Sequence, residues 1–133
     1  MVVKKTSSIP TRAAKRNENT KGMQELEKKI GKVPIFFKEL MKNQPDMHGA
    51  ILAFDQHIWD DGALSRKTKK ILAISIAAAL RDQHAVQAQL AGAKRLGVTS
   101  DEIEEALRVT FLLSGMPAYV YGRAAMEKIM GKE

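Results

Sequence analysis

Apolar residues recur along this chain at helical spacing, and no stretch alternates apolar with polar over strand length. Residues 23–30 read as a short amphipathic helix that Gly31 stops. Ile35 to Lys42 form the next, with Ile35, Phe36, Leu40 and Met41 close to one face. Asn43 is placed to cap a third helix, with Pro45 in its first turn and Ile51, Phe54 and Ile58 on one stripe as far as Trp59. Asp60-Asp61-Gly62 reads as a turn. Ser65 caps a long segment whose stretch from Ile71 to Leu80 is almost uniformly apolar, which predicts a helix buried on most sides. A break at Arg81-Asp82 lets Asp82 cap a new helix that Gly97 ends. Thr99 and Glu102 have the spacing of a capping box. The helix they open carries Ile103, Leu107, Thr110 and Ser114 along one face, and Gly115 and Pro117 end it. A last helix holds Tyr119 to Met130. The expected fold class is all-α, a helical bundle with short connections.

The length of 133 residues fits one domain. Charge divides the chain further. Residues 1–22 hold six basic residues against Glu18 alone, so we read them as a basic N-terminal extension, mobile or loosely docked, ahead of a domain over 23–133. Such a tail can touch RNA or anionic surfaces without specificity. No recognised RNA-binding motif is present, so nucleic acid is not an expected partner. The apolar run at 71–80 is too short to span a bilayer, and the start lacks a signal-peptide apolar region. The chain has no cysteine, which fits a cytoplasmic protein and removes disulfides, thiol nucleophiles and thiolate metal sites.

Leu80 to Glu105 carries the densest pattern. Ala93, Gly97, Thr99, Glu102 and Ile103 in that order, with Gly31-Lys32-Val33-Pro34, Gly62-Ala63-Leu64-Ser65 and Ser114-Gly115-Met116-Pro117-Ala118 around them, resemble the carboxymuconolactone decarboxylase / alkylhydroperoxidase D-like family. The resemblance covers roughly residues 24–130. It implies a homo-oligomer, a trimer or hexamer packed through the central helices. In the redox branch it also implies a C-x-x-C-x-x-x-H motif and a relay glutamate. At those positions this chain has Asp82, Ala85, Gln89 and Lys70. Thiol peroxidase chemistry is therefore excluded, since no residue here can cycle through a sulfenate. The decarboxylase branch, which lacks the cysteine pair, is resembled in Gly97-Val98-Thr99 and Gly115-Met116-Pro117, but its usual histidine is again Gln89.

The resemblance to the decarboxylase branch implies acid–base chemistry on a small carboxylate or lactone, and no cofactor is expected. His84, near the predicted helix start, is the candidate base, Gln89 a second catalytic candidate, and Asp82 either orients His84 or caps the helix. Lys70 is the candidate cation for a substrate carboxylate, with His57, Tyr119 and Tyr121 as further substrate-binding candidates. His57 and Asp61 are four apart on helical spacing but lack a third ligand, so no metal is expected. The competing reading is a non-catalytic binding or scaffold protein that keeps the oligomeric fold, because fold alone does not fix function.

Overall fold

A computed structural model describes residues 11–131. Among them are seven helices and no strand: α1 Arg12–Ile30, α2 Ile35–Asn43, α3 Pro45–Trp59, α4 Arg66–Leu80, α5 Gln83–Arg95, α6 Ser100–Ser114 and α7 Met116–Met130. Capping fixes several of their starts. The Ser65 hydroxyl accepts from the Thr68 amide at 3.1 Å, and Asp82 Oδ1 accepts from the Ala85 amide at 3.0 Å. Thr99 and Glu102 form the full reciprocal capping box. Each such cap satisfies an amide that would otherwise lack a partner. The cap of α3 differs from expectation: Asn43 is the last residue of α2, and Gln44 precedes Pro45 without a side-chain cap.

The helices form two packed groups. In α1–α3, Met23, Leu26, Ile30, Val33, Phe37 and Leu52 make one core. In α4–α7, Ile74, Ala78, Val86, Leu90, Ile103 and Leu107 anchor the other. α1 starts well before the expected residue 23. Two long-range bonds hold that early stretch on α3: Asn19 Nδ2 donates to the Pro45 carbonyl, and Gln56 Nε2 donates to the Gly22 carbonyl, each at 2.9 Å. Residues 12–22 of the basic extension thus form the start of α1, held on α3 at Asn19 and Gly22, and residues 1–10 lie outside the described residues. His48 is fully buried in the first core, its Nε2 2.9 Å from Met23 Sδ and its ring edge-on to Phe37. Burial lowers its pKa.

The groups meet at a seam where α1 abuts α5. Gly31 lies at φ +86°, and a Cβ there would meet the Gly92 carbonyl at 2.2 Å. A Cβ on Gly92 would stand 2.0 Å from the Ile30 carbonyl, so this contact is made backbone to backbone. α4 departs from the expectation of burial on most sides. Leu72, Ile76 and Leu80, spaced four apart, are exposed, Leu80 by 74%. Val109, Leu112, Leu113, Met116 and Val120 on α6 and α7 are exposed as well. No helix among the described residues is long and apolar enough to cross a membrane.

Candidate functional site

An open groove of about 760 Å³ runs between the start of α2 and α5. Its α5 wall follows from the cap. Arg81 ends α4 in a left-handed conformation at φ 53°, and Asp82 then caps α5, which sets His84, Ala85, Ala88 and Gln89 along the groove. Ile35 and Phe36 on α2 supply the opposite, apolar side, and Lys32 adds a cation. His84 is exposed and makes no hydrogen bond or ion pair among the described residues. Asp82 spends one carboxylate oxygen on the α5 cap rather than on His84.

Behind Gln89 lies Lys70, 1% exposed. Its Nζ donates to Gln89 Oε1 at 2.8 Å and sits 4.3 Å from the centre of the Trp59 ring. A neutral acceptor and a ring face replace little of the hydration an ammonium loses on burial. Burial accordingly pulls the Lys70 pKa down to about 8, with the Asp55 charge pulling the other way. Asp55 shows the reciprocal balance: burial raises its pKa and the Lys70 charge opposes the rise. An ammonium can only donate, so the bond fixes Gln89 with its oxygen toward Lys70. The Gln89 NH2 is the end left to offer the groove.

The structure thus brings His84, Gln89 and Asp82 to one groove, with Lys70 touching it through Gln89. The positions that the resemblance pairs as relay residues, 70 and 89, are in direct contact. The other proposed binding residues stand elsewhere and do not line the groove. His57 is exposed on α3. The turn after it is fastened by cations: Asp60 pairs with Lys29 at 2.5 Å and Asp61 with Arg66 at 3.5 Å. Among the described residues, no group of three or more His, Cys, Asp or Glu side chains could hold a metal. Tyr119 donates to Glu104 at 2.5 Å and stacks edge-on with Phe111. Tyr121 packs on the α4–α7 core, its hydroxyl buried without a hydrogen-bond partner among the described residues.

Sequence reasoning missed Lys32, Ile35 and Phe36 as groove residues. Their only signal was that two large apolar residues follow Pro34 at a helix start, where one face must point outward. It also missed Asp55 as the charge acting on Lys70, because the two lie on different helices, α3 and α4.

The carboxymuconolactone decarboxylase family profile matches residues 45–128. The uncharacterized protein MJ0742 of Methanocaldococcus jannaschii is 37% identical over 100 residues, which is 71% of this chain and 96% of that protein. Uncharacterized protein 4 in the cox locus of Paracoccus denitrificans is 30% identical over 77 residues, 58% of this chain and 69% of that one. Two crystal structures share the fold. A protein of Burkholderia xenovorans LB400 assigned as a carboxymuconolactone decarboxylase aligns at TM-score 0.73 and 19% identity, covering 87% of this chain and 91% of its own. The protein lpg0406 of Legionella pneumophila, from the same family, aligns at TM-score 0.67 and 22% identity, covering 89% and 98%.

Proposed function

The chain belongs to the carboxymuconolactone decarboxylase family, and from that premise we propose that it acts on a small carboxylate or lactone by acid–base chemistry in the α2–α5 groove. The observation that carries this reading is the shared wall: His84 and Gln89 line one groove, and Gln89 is held from behind by a buried cation. His84 serves as the base, since its imidazole is open to the groove and engaged with nothing else. The Gln89 NH2 binds a ligand carboxylate or lactone oxygen, and Lys70 polarises that amide from its far side. Asp82 sets where α5 begins and so where His84 stands. No cofactor takes part in this scheme, and we place the protein in the cytoplasm.

The test is a panel of small carboxylates and lactones, read by thermal shift and by turnover. Stabilisation by carboxylates, with turnover lost in His84→Ala and helical content unchanged, is the expected result. Turnover equal to wild type in His84→Ala would remove His84 from the role of base.

A second reading rests on a separate observation, the exposed apolar stripe Leu72, Ile76 and Leu80 with its neighbours on α6 and α7. Monomers rarely leave so many large apolar side chains in water. We propose that a further copy of the chain covers this face, in a trimer or hexamer. Light scattering at micromolar concentration checks it, and a stable monomer mass would contradict it. If assembly holds while no carboxylate or lactone binds, the protein is a scaffold that keeps the family's fold.

A further inference from the structure

Lys70 has fewer partners than a buried ammonium normally has. It carries three N–H donors. Among the described residues only Gln89 Oε1 accepts a hydrogen bond from it, at 2.8 Å, and the Trp59 ring covers the nitrogen at 4.3 Å. The nearby Asp55 carboxylate acts through charge and not through a hydrogen bond. Buried lysines are otherwise almost always paired with an acid. The backbone adds to the enclosure, because a side chain on Gly92 would come within 3.0 Å of Nζ. This setting favours the neutral amine, and a desolvated neutral lysine is the form that attacks carbonyl carbon. Burial lowers its pKa to about 8, in accord with the geometry.

We propose that Lys70 is a nucleophile that forms an imine with a small carbonyl compound bearing a carboxylate, an oxo acid admitted from the groove past Gln89. Gln89 stands between the groove and the amine, since it lines the groove and touches Nζ. For the reaction that amide must rotate and open Nζ to the groove. The Lys32 ammonium on the groove rim meets the carboxylate. In the reaction the Lys70 nitrogen pair adds to the carbonyl carbon, giving a carbinolamine. The carbon–oxygen bond then breaks, and the oxygen leaves as water with the two protons the nitrogen gives up. The product is a C=N bond on Lys70, with no oxidant or reductant consumed. The inference rests on the groove reading for where the ligand sits, and it adds a covalent step and a substrate class.

The experiment uses the full-length wild-type protein with glyoxylate and sodium cyanoborohydride at pH 7, followed by peptide mapping of the reduced adducts. At that pH about a tenth of an amine of pKa 8 is neutral, against less than about 0.1% of an ordinary lysine. Allowing for the closed seam, Lys70 is expected to label at least about tenfold faster than exposed Lys38 or Lys67. Labelling of Lys70 no faster than those two overturns the proposal. Gln89→Ala is expected to raise the Lys70 rate several-fold. A rate unchanged or lower overturns the route past Gln89. The two readings fail separately. Carboxylate stabilisation without a Lys70 adduct removes the imine and leaves the groove. A Lys70 adduct with turnover intact in His84→Ala removes the acid–base scheme and leaves the imine.

Discussion

Lys70 and Glu104 are both charged residues placed at helix contacts, and their surroundings treat them in opposite ways. Glu104, between α6 and α7, is met on one oxygen by the Tyr119 hydroxyl at 2.5 Å, Arg123 at 3.2 Å and Arg108 at 3.6 Å. Burial alone would raise its pKa, but the Tyr119 and Arg123 hydrogen bonds and the two guanidinium charges outweigh that, so the carboxylate is held charged. Lys70, in the seam, has a neutral acceptor, a ring face and one unbonded carboxylate, so its charge is disfavoured. A charge met by opposite charges at a helix contact serves structure, even though Glu104 Oε2 is buried without a hydrogen-bond partner among the described residues. A poorly paired one must be compensated by packing elsewhere, and such sites are where function is found.

The largest expected effect breaks the seam itself. Gly92→Ala puts a methyl 2.0 Å from the Ile30 carbonyl. We expect a loss of roughly 3 kcal/mol in urea unfolding, the upper end of overpacking costs, and a change within about 0.5 kcal/mol, ordinary for surface sites, would show that α1 and α5 are not in backbone contact. Gln89→Leu comes next. It removes the Gln89 acceptor of Lys70 and should cost about 1–3 kcal/mol at pH 7. The same substitution should cost less at pH 10, where Lys70 is already neutral, and an equal cost at both values would argue that its charge is not what Gln89 offsets.

Third is the pH dependence of the wild type. Lys70 is lowered to about 8 when folded and returns to about 10.4 when unfolded. Between those values the unfolded chain binds more protons, so stability rises with pH across the window. The penalty is fully present below about pH 8 and relieved above about 10.4. Lys70→Met should flatten that rise, and a rise surviving the substitution would assign it to another group. The smallest effect falls on the other side of the comparison. Tyr119→Phe removes one of several partners of Glu104 and should change stability no more than an ordinary surface substitution, with no new pH dependence between 8 and 10. A marked loss there would mean the Glu104 cluster is the more demanding site.

Much of the fold could be read from local chemistry. Ser65, Asp82, Thr99 and Glu102 are caps that act within three residues, and all four behave as their types predict. The start of α1 could not be read this way. Residues 12–22 have little apolar patterning, and what holds them is tertiary, through Asn19 and Gln56. The exposure of Leu72, Ile76 and Leu80 was equally hidden, because an apolar run marks surface that needs cover without saying what covers it. The site was half legible. Positions 70, 82, 84 and 89 stood out in sequence. Their sorting into a groove wall and a sealed amine depends on Trp59, Asp55 and the Ile30 carbonyl, which the fold brings in from α1 and α3.

The measurement that bears most directly on the poorly paired cation is an NMR titration of the Lys70 side chain, assigned by comparison with Lys70→Arg. A midpoint near 8, shifting lower in Gln89→Leu as the Gln89 acceptor is lost, is the predicted result. A midpoint near the ordinary lysine value of about 10.4 would mean that the seam holds Lys70 as a well-solvated or well-paired ammonium, and the nucleophile would have to be given up.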